Sequence, residues 1–488
     1  MTSLEKIERE TVTAPHVAAA PGSQLALELT ETLKLAVPIA LTQLGQIAMM
    51  TTDLALIGRL GDEAVAAAAL AHTVAFISFA FGMGLVSAVA PLTAQAFGAR
   101  NPRLVRRALR VGLWAALLIS LPMLAFRLSG EQILLMLGQA PATAHLAQRY
   151  LLGLAWGITP ALWFLAIRGF MGAVNRPEPG LWITIAAIPA NAVLVYLLIH
   201  GELGLPRLEL FGAGLATTII NFGMFLASLW FAYGRRPFRK YQVLGRIWRV
   251  DWMLMRQLIV IGAPISISFL LEYGLFAAAA LLMGLISTTA LAAHQIALQV
   301  TAILFMVPLG IGIAATVRVG HAVGRNDAPA VKRAGFVATL LGIALVSILT
   351  LAVILARFSI ARFFFGEAVE SAGAVIELTA TLLVVGATFF VADGIQTVAA
   401  GALRGMNDTR MPLLFAAISY WLIGFSAAYG LAFWTDLGAV GVWIGLSCGT
   451  AVYAILLILR FRRLAGLLEP PGSLVRIDPQ PRGVGDES

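Results

Sequence analysis

The chain has 488 residues, of which 59% are hydrophobic and 12% charged, and its mean hydropathy is +0.88. A soluble protein carries about 25% charged residues, so this composition excludes a soluble enzyme and a disordered chain, while the single cysteine, Cys448, excludes a disulfide scaffold. The net charge of +9 does not indicate a nucleic-acid partner, because the basic residues lie in loops between apolar runs. We therefore predict an all-α polytopic membrane protein.

Twelve apolar runs are long enough to cross a bilayer as helices, which requires about 20 residues each. In chain order they lie at 33–58, 64–93, 108–128, 145–172, 179–200, 212–234, 256–284, 289–317, 334–356, 373–401, 411–434 and 438–461. Lys and Arg are concentrated in the loops after the even-numbered runs, which the positive-inside rule assigns to the cytoplasm. We expect a multi-pass protein of the bacterial inner (plasma) membrane with both termini in the cytoplasm.

The runs contain an internal repeat with an offset of 226 residues. The matched pairs are Pro38 with Pro264, Gly58 with Gly284, Gly84 with Gly310 and, at an offset of 233, Gly172 with Gly405. Two six-helix halves that both start on the same side are parallel repeats, related by an axis along the membrane normal. The predicted organisation is a cytoplasmic N-terminal segment (1–32), an N-lobe (33–234), a cytoplasmic linker (235–255), a C-lobe (256–463) and a disordered cytoplasmic tail (464–488).

Three acidic residues, Asp53, Glu272 and Asp393, lie deep within the apolar runs. An ionised carboxylate at the bilayer centre costs about 2.5–3.5 kcal/mol or more, so each needs a partner or a neutralising ion. None has a Lys or Arg at the same depth of its own helix, which favours transient neutralisation by H⁺ or Na⁺. The alternative is that each carboxylate is held only by neighbouring hydroxyls and amides.

Polar residues on the same runs repeat at helical spacing, which predicts faces that line a cavity rather than contact lipid. Aromatic residues beside the acids, such as Tyr273, either hold a lipophilic cation against a π-face or serve as packing. The predicted cavity residues are Gln43 and Gln46 with Asp53, Tyr273 with Glu272, Gln295, and Phe389 and Gln396 with Asp393.

Several motifs together resemble the multidrug and toxic compound extrusion (MATE) family, in its NorM-like bacterial branch. In the first half they are Pro38, Gln43, Asp53, Gly58-Arg-Leu-Gly61, Gly84 and Ala94-Gln-Ala-Phe-Gly-Ala99. In the second half they are Gly262-Ala-Pro264, Glu272, Ala292-Ala-His-Gln295, Arg318-Val-Gly320, Asp393 and Gly401-Ala-Leu-Arg-Gly405. The resemblance covers about 33–461. It implies a V-shaped pair of six-helix lobes that exports organic cations in exchange for Na⁺ or H⁺.

The resemblance also implies roles for individual residues. Glu272 and Asp393 are similar to the cation-coupling carboxylates of the second lobe, with transient Na⁺ or H⁺ as the bound ion, and Asp53 is similar to the acid of the first lobe. Asn191 and Thr217 occupy positions where relatives place polar partners of that acid. Two departures leave the coupling ion open, because Val195 and Phe389 stand where many relatives have an oxygen-bearing side chain.

Two other functional classes are possible for a polytopic membrane protein. A flippase for lipid-linked or polysaccharide intermediates of the same superfamily needs a basic cavity, and only Arg168 and Arg318 lie within or near the spans as candidates. A membrane enzyme needs a nucleophile with a base, and Gly445-Leu-Ser-Cys-Gly449, although it fits G-x-S-x-G, lies in a span where glycines pack helices. We expect no enzyme activity and no cofactor, no ATP site or resident metal, and a monomer whose partners are organic cations and membrane lipid.

Overall fold

A computed structural model describes residues 21–202, 204, 206–365 and 372–468. The N-lobe contains α1 (Pro21–Ile57), α2 (Asp62–Ser87), α3 (Val89–Gly98), α4 (Pro102–Leu128), α5 (Gly130–Met136), α6 (Pro141–Ala155), α7 (Ile158–Ala173), α8 (Glu178–His200) and α9 (Glu209–Gly234). The C-lobe contains α10 (Trp252–Ile286), α11 (Thr288–Gly324), α12 (Ala328–Phe365), α13 (Ala372–Gly405), α14 (Arg410–Ala416), a π-helix (Ala417–Phe425), α15 (Ser426–Phe433) and α16 (Gly438–Leu467). No strand occurs in these ranges, which confirms the predicted all-α fold.

Within the described ranges, eleven continuous helical segments are long and apolar enough to cross a membrane, and α6 with α7 makes the twelfth as a pair bent by 47°. The apolar run predicted over 145–172 is therefore helical on both sides of a break between Ala155 and Ile158. The cause of the bend is local, because Pro160 near the start of α7 has no N–H to donate to the carbonyl of Trp156. The twelve predicted crossings are therefore present, and the fourth is broken.

The predicted domain boundaries differ from the structure at three places, one of which is the start of α10 at Trp252, within the predicted linker 235–255. Helix α1 begins at Pro21, so 21–32 form the start of the first helix rather than a separate segment. Helix α16 continues to Leu467, so 464–467 are helical although they were assigned to the tail. Residues 1–20 and 469–488, which make up the rest of both predicted terminal segments, lie outside the described residues.

The two lobes meet where the repeat places its small residues. A Cβ added to Gly84 in α2 would collide with the backbone of Ser266 in α10. Gly310, its repeat mate in α11, would place a Cβ 2.8 Å from the Cα of Ala40 in α1, and Ala40 and Ser266 are themselves 226 residues apart. The lobes are therefore related by an approximate two-fold axis, and each lends a glycine to one of two equivalent crossings.

The axis passes close to Ala94 and Gly320, which are repeat mates in α3 and α11. They contact each other, since a Cβ added to Gly320 would lie 2.8 Å from the Cβ of Ala94. One turn further on, the backbone of His321 blocks any side chain at Gly98, and the backbone of Gln95 blocks any side chain at its mate Gly324. Side chains no larger than the methyl group of Ala94 stand between the two helices at these contacts, as is typical where membrane helices pack closely.

The lobes separate away from this line. We call the end that carries the loops 99–101, 174–177, 235–251, 325–327 and 406–409 the basic end. The apolar clusters that include residues of both lobes lie toward it, as where Leu35 packs with Ile311. The cluster around Ile57 and Val195 contains N-lobe residues only, and the cluster around Met283 contains C-lobe residues only. The molecule is thus V-shaped and closed at the basic end.

Two hydrogen bonds related by the repeat close the basic end. Gln95 of the N-lobe donates from Nε2 to the carbonyl oxygen of Gly405 in the C-lobe at 2.9 Å. His321, its repeat mate, donates from Nε2 to the carbonyl oxygen of Ala173 in the N-lobe at 2.7 Å. Because both groups are part-buried or buried, each bond supplies a partner that the carbonyl at a helix end otherwise lacks.

A bidentate ion pair adds to this closure. Arg318 on α11 donates from Nε and Nη2 to the two carboxylate oxygens of Glu28 on α1, each at 2.8 Å. Glu28 lies in the first turns of α1, in the stretch that sequence analysis assigned to the N-terminal segment. Because α1 starts early, at Pro21, Glu28 of the N-lobe reaches Arg318 of the C-lobe, and the ion pair helps to hold the two lobes together.

Gly84→Ala should destabilise the contact between the lobes. The new methyl group has no space against the backbone of Ser266, and overpacking of this kind costs about 1–3 kcal/mol. We expect a lower melting temperature for the purified protein in detergent. Gly223→Ala in α9 is the matched control, because no atom outside its own helix lies within 4 Å of the added Cβ. Equal melting temperatures for the two variants would contradict the packing described here.

Candidate cation-binding sites

The N-lobe site is built around Asp53, whose side chain is buried near the end of α1. Asn191 on α8 donates from Nδ2 to Oδ1 of Asp53, and Thr217 on α9 donates from Oγ1 to Oδ2 at 3.1 Å. The structure thus brings together three residues that sequence analysis grouped. The Oδ1 atom of Asn191 is buried without a hydrogen-bond partner among the described residues, so the site offers an amide oxygen beside a carboxylate.

The C-lobe site contains two carboxylates that share one amide. Gln396 donates from Nε2 to Oδ1 of Asp393 at 2.9 Å and to Oε1 of Glu272 at 3.2 Å. Asp393 and Gln396 are three residues apart on α13, so they share a face, and Glu272 approaches from α10. Two carboxylates from different helices are therefore held around a single NH₂ group. This arrangement places two acids where one small cation can contact both.

Tyr420 is a site residue that sequence analysis did not identify. Its hydroxyl donates to Oε1 of Glu272 at 3.4 Å, and its ring packs edge-on against Tyr453 with centroids 5.0 Å apart. Tyr420 lies in the π-helix, and such segments turn side chains away from the positions that α-helical periodicity predicts. An aromatic residue in an apolar run carries no other signal in the sequence.

A small cavity extends from Glu272 towards the basic end of the C-lobe. It measures about 20 Å³, which is room for one water-sized occupant. Its polar lining residues include Ser268, Gln396, Thr397, Arg404 and Tyr453. The polar lining continues the site from the carboxylates along one face of α13.

Arg404 is a base of the C-lobe site that sequence analysis did not name, because it lies three turns after Asp393 on α13 rather than at the same depth. Its guanidinium carbon is 5.2 Å from the ring centroid of Phe269 on α10. No carboxylate lies within 4 Å of it in the part of the chain described above. With both carboxylates ionised, the C-lobe site therefore carries a net charge of −1.

The structure separates the remaining predicted cavity residues from these two networks. Phe389 is buried in an aromatic core, with its ring centroid 5.7 Å from Trp443 and 5.9 Å from Phe276. Tyr273 contacts Phe76 of the other lobe at 5.0 Å. Gln43 is buried, Gln46 is half-buried and Gln295 is exposed, and none of the three is hydrogen-bonded to Asp53, Glu272 or Asp393.

The family model MatE matches the chain twice, over residues 38–197 and 264–430. The chain belongs to the MatE family. The two matches begin 226 residues apart, which is the spacing of the repeat. Among curated relatives, a probable multidrug resistance protein NorM of Bradyrhizobium diazoefficiens is 68% identical over 95% of this chain and 99% of its own length. The protein of the same name from Rhodopseudomonas palustris is 60% identical over 93% of this chain and 95% of its own length.

Solved structures show the same MatE fold. An outward-facing MATE family transporter of the MOP superfamily superimposes with a TM-score of 0.83 at 19% identity, covering 92% of this chain and 99% of that one. The eukaryotic MATE transporter AtDTX14 gives a TM-score of 0.81 at 20% identity, covering 91% of this chain and 98% of that one. These matches confirm the predicted two-lobed membrane fold of this MatE chain.

Arg404→Gln should tighten cation binding at the C-lobe site of this MatE protein. Removing the guanidinium raises the net negative charge around Glu272 and Asp393, and a tenfold rise in affinity needs only about 1.4 kcal/mol. Titration calorimetry with Na⁺, and with acid at fixed Na⁺, would measure the affinity for each cation. The titrations would use an Asp53→Asn background, which removes the N-lobe carboxylate. Arg404→Lys keeps the charge and should bind as the wild type does. Equal affinity in Arg404→Gln and wild type would mean that Arg404 does not act on the site.

Proposed function

We propose that this chain is a secondary active multidrug efflux antiporter that acts as a monomer. It exports lipophilic organic cations in exchange for Na⁺ or H⁺ by alternating access of its two lobes. Glu272 and Asp393 are the principal coupling carboxylates and Asp53 is a second coupling acid. In this proposal the basic end faces the cytoplasm of a bacterial cell and the open end of the V faces outward.

The observation that carries the proposal is the pair of carboxylates bridged by Gln396 inside a membrane-spanning lobe. Buried charge of this kind is expensive in a membrane and is typical of ion and substrate pathways. The net charge of −1 suits one monovalent cation at a time. A coupling ion and a cationic substrate then compete for the same negative charge, and this competition links their opposite movements without any covalent step.

The N-lobe site supports a second position for the coupling ion. A carboxylate, a hydroxyl and an unpartnered amide oxygen are contributed by Asp53, Thr217 and Asn191. Oxygen ligands of this kind bind hard cations such as Na⁺, and the same carboxylate accepts a proton. Val195, one turn after Asn191, contributes no oxygen, so this site has fewer ligands than the relatives that set the resemblance.

The flippase alternative receives little support from Arg318 and Arg404. Arg318 is engaged by Glu28 at the closed basic end, so its charge is already compensated. Arg404 shares its cavity with Glu272, and Gln396 links Glu272 to a second acid, Asp393. With both carboxylates ionised, two acids against one base leave the site negative rather than positive. An anionic headgroup would be repelled by such a site, whereas a lipophilic cation is attracted.

The closed end also supports alternating access, because a limited set of contacts has to break for the opposite opening. The relevant contacts are the Glu28–Arg318 ion pair and the hydrogen bonds of Gln95 and His321. They join the lobes only at the basic end. Rocking of one lobe against the other about the crossings at Gly84 and Gly310 would release them.

Glu272→Gln and Asp393→Asn should each abolish ion-driven ethidium efflux from energised vesicles. Both changes preserve shape and remove the negative charge for which coupling ion and substrate compete. Glu377→Gln is the matched control, because Glu377 is an exposed acid on the same helix as Asp393. Efflux at the wild-type rate in both charge-neutral variants would contradict the coupling roles assigned to Glu272 and Asp393. Runs with a Na⁺ gradient alone and a pH gradient alone would identify the coupling ion.

Glu28→Gln should shift the resting population towards states that are open at the basic end. The change leaves Arg318 without its carboxylate, and a tenfold shift in population needs only about 1.4 kcal/mol. Spin labels at the exposed positions Arg100 and Asn326, in a Cys448→Ser background, would report the distance between the lobes at this end. The exchanged pair Glu28→Arg with Arg318→Glu should restore the wild-type distance distribution. A distribution that Glu28→Gln leaves unchanged would show that the ion pair does not hold the lobes together.

A further inference from the structure

The linker between the lobes, residues 235–251, is folded against the N-lobe rather than being a loose tether. Phe238, Tyr241 and Val243 are buried in the N-lobe apolar core. The ring of Phe170 on α7 lies 5.9 Å from that of Phe238 and 5.6 Å from that of Tyr241, measured between centroids. These contacts hold the first half of the linker in one position on the surface of the N-lobe.

The second half of the linker is fixed by α4. Arg110 donates from Nη1 to the carbonyl oxygen of Arg246 at 3.2 Å, and Trp114 donates from Nε1 to the carbonyl oxygen of Ile247 at 2.7 Å. Asp251 caps α10 by accepting from the amide of Leu254. The linker therefore presents its exposed side chains on a defined surface, because burial, backbone hydrogen bonds and a helix cap each hold a part of it.

Six basic side chains of the linker point into solvent, and we call them the linker patch. They are Arg235, Arg236, Arg239, Lys240, Arg246 and Arg249. Asp251 is the only acid between 235 and 251, and Arg107 of α4 already forms an ion pair with it. No carboxylate of the described residues lies within 4 Å of any side-chain nitrogen of the patch.

Asp251 is ionised at neutral pH, so the excess of positive charge on the linker is already counted with its one carboxylate charged. Partial burial opposes its ionisation, but the hydrogen bonds from Arg107 and from the amide of Leu254 keep the pKa of Asp251 below its ordinary value. Its single negative charge is therefore present and is used by Arg107. Six positive charges remain on one rigid surface without a protein counter-charge.

Exposed tryptophans lie within the linker and at the adjoining ends of two membrane spans. Trp248 is 74% exposed and Trp252, the first residue of α10, is 69% exposed. Trp230, in the last turns of α9, stacks with Arg235, whose guanidinium carbon is 5.1 Å from the ring centroid. Tryptophan is enriched at the level of lipid headgroups. The linker patch thus lies where headgroup phosphates are found.

We propose that the linker patch is a binding surface for the phosphate groups of anionic phospholipid headgroups. Guanidinium groups pair with phosphate through parallel hydrogen bonds, and clusters of four to eight basic residues beside a span are typical of such recognition. Orientation of the chain during insertion needs positive charge in this loop, but it does not need that charge to be folded, unpaired and flanked by interfacial tryptophans. The proposal is independent of the transported substrate.

The test compares how lipids stabilise the full-length protein in detergent micelles. Dioleoylphosphatidylglycerol should raise the melting temperature more than dioleoylphosphatidylcholine does. A variant with all six patch residues changed to Gln should lose most of that difference. The matched control changes six exposed basic residues of the same end to Gln, and it should keep the difference: Arg100, Arg103, Arg176, Arg325, Arg462 and Arg463.

Each other outcome counts against the proposal. An equal loss in the control variant would mean that net charge alone attracts the lipid. An equal stabilisation by inorganic phosphate would assign the patch to a soluble anion instead of a membrane. If the six-residue variant does not fold, Arg235→Gln with Arg236→Gln and Arg239→Gln serves in its place. Native mass spectrometry should then show fewer phosphatidylglycerol molecules retained by this variant than by wild type, and equal retention would overturn the proposal.

Discussion

The contact that the rest of the structure depends on is the close approach of backbone to backbone between the lobes. Gly84 lies against Ser266 and Gly310 lies against Ala40, so only the small side chains of Ser266 and Ala40 stand between the crossing helices. Each crossing is brought about by a small residue of the repeat, and the two are equivalent because the offset is the same. Since the tight packing lies toward one end, the lobes diverge towards the other. The V shape follows from the positions of these small residues. It leaves the space between the lobes open at the end opposite the basic end.

The two lobes share a backbone but not a charge pattern. The repeat mate of Asp53 is Ala279, and the repeat mate of Glu272 is Gln46, both at the offset of 226. Each acid therefore belongs to one lobe only, and each lobe neutralises its own acid differently. The N-lobe surrounds one carboxylate with an amide and a hydroxyl, whereas the C-lobe places two carboxylates around one amide. The fold is duplicated, but the chemistry is not.

Sequence reasoning identified most of the groups that meet at the sites and missed those whose signal lies outside one helix. Asp53, Glu272 and Asp393 are visible because a charge within an apolar run is rare and expensive. Arg404 was overlooked because it lies near the end of its own span, where a base is ordinary. Only the packing of α13 against α10 shows that Arg404 lines the same cavity as Glu272. Phe389 was predicted to line the cavity because it is one turn from Asp393 on the same helix. In the structure its side chain packs in an aromatic core instead.

The sequence by itself determined the properties that depend on composition, on the spacing of residues along the chain and on local chemistry. The twelve spans follow from runs of apolar residues, the repeat from a constant offset, and the candidate acids from the cost of charge in lipid. Tertiary structure alone decided the early start of α1 at Pro21, where Glu28 reaches Arg318, and the folded linker, where Phe238 finds the N-lobe core. The same holds for the cluster of Glu272, Gln396 and Tyr420. These features are contacts between residues more than sixty positions apart, and no local pattern encodes which distant partner a side chain will meet.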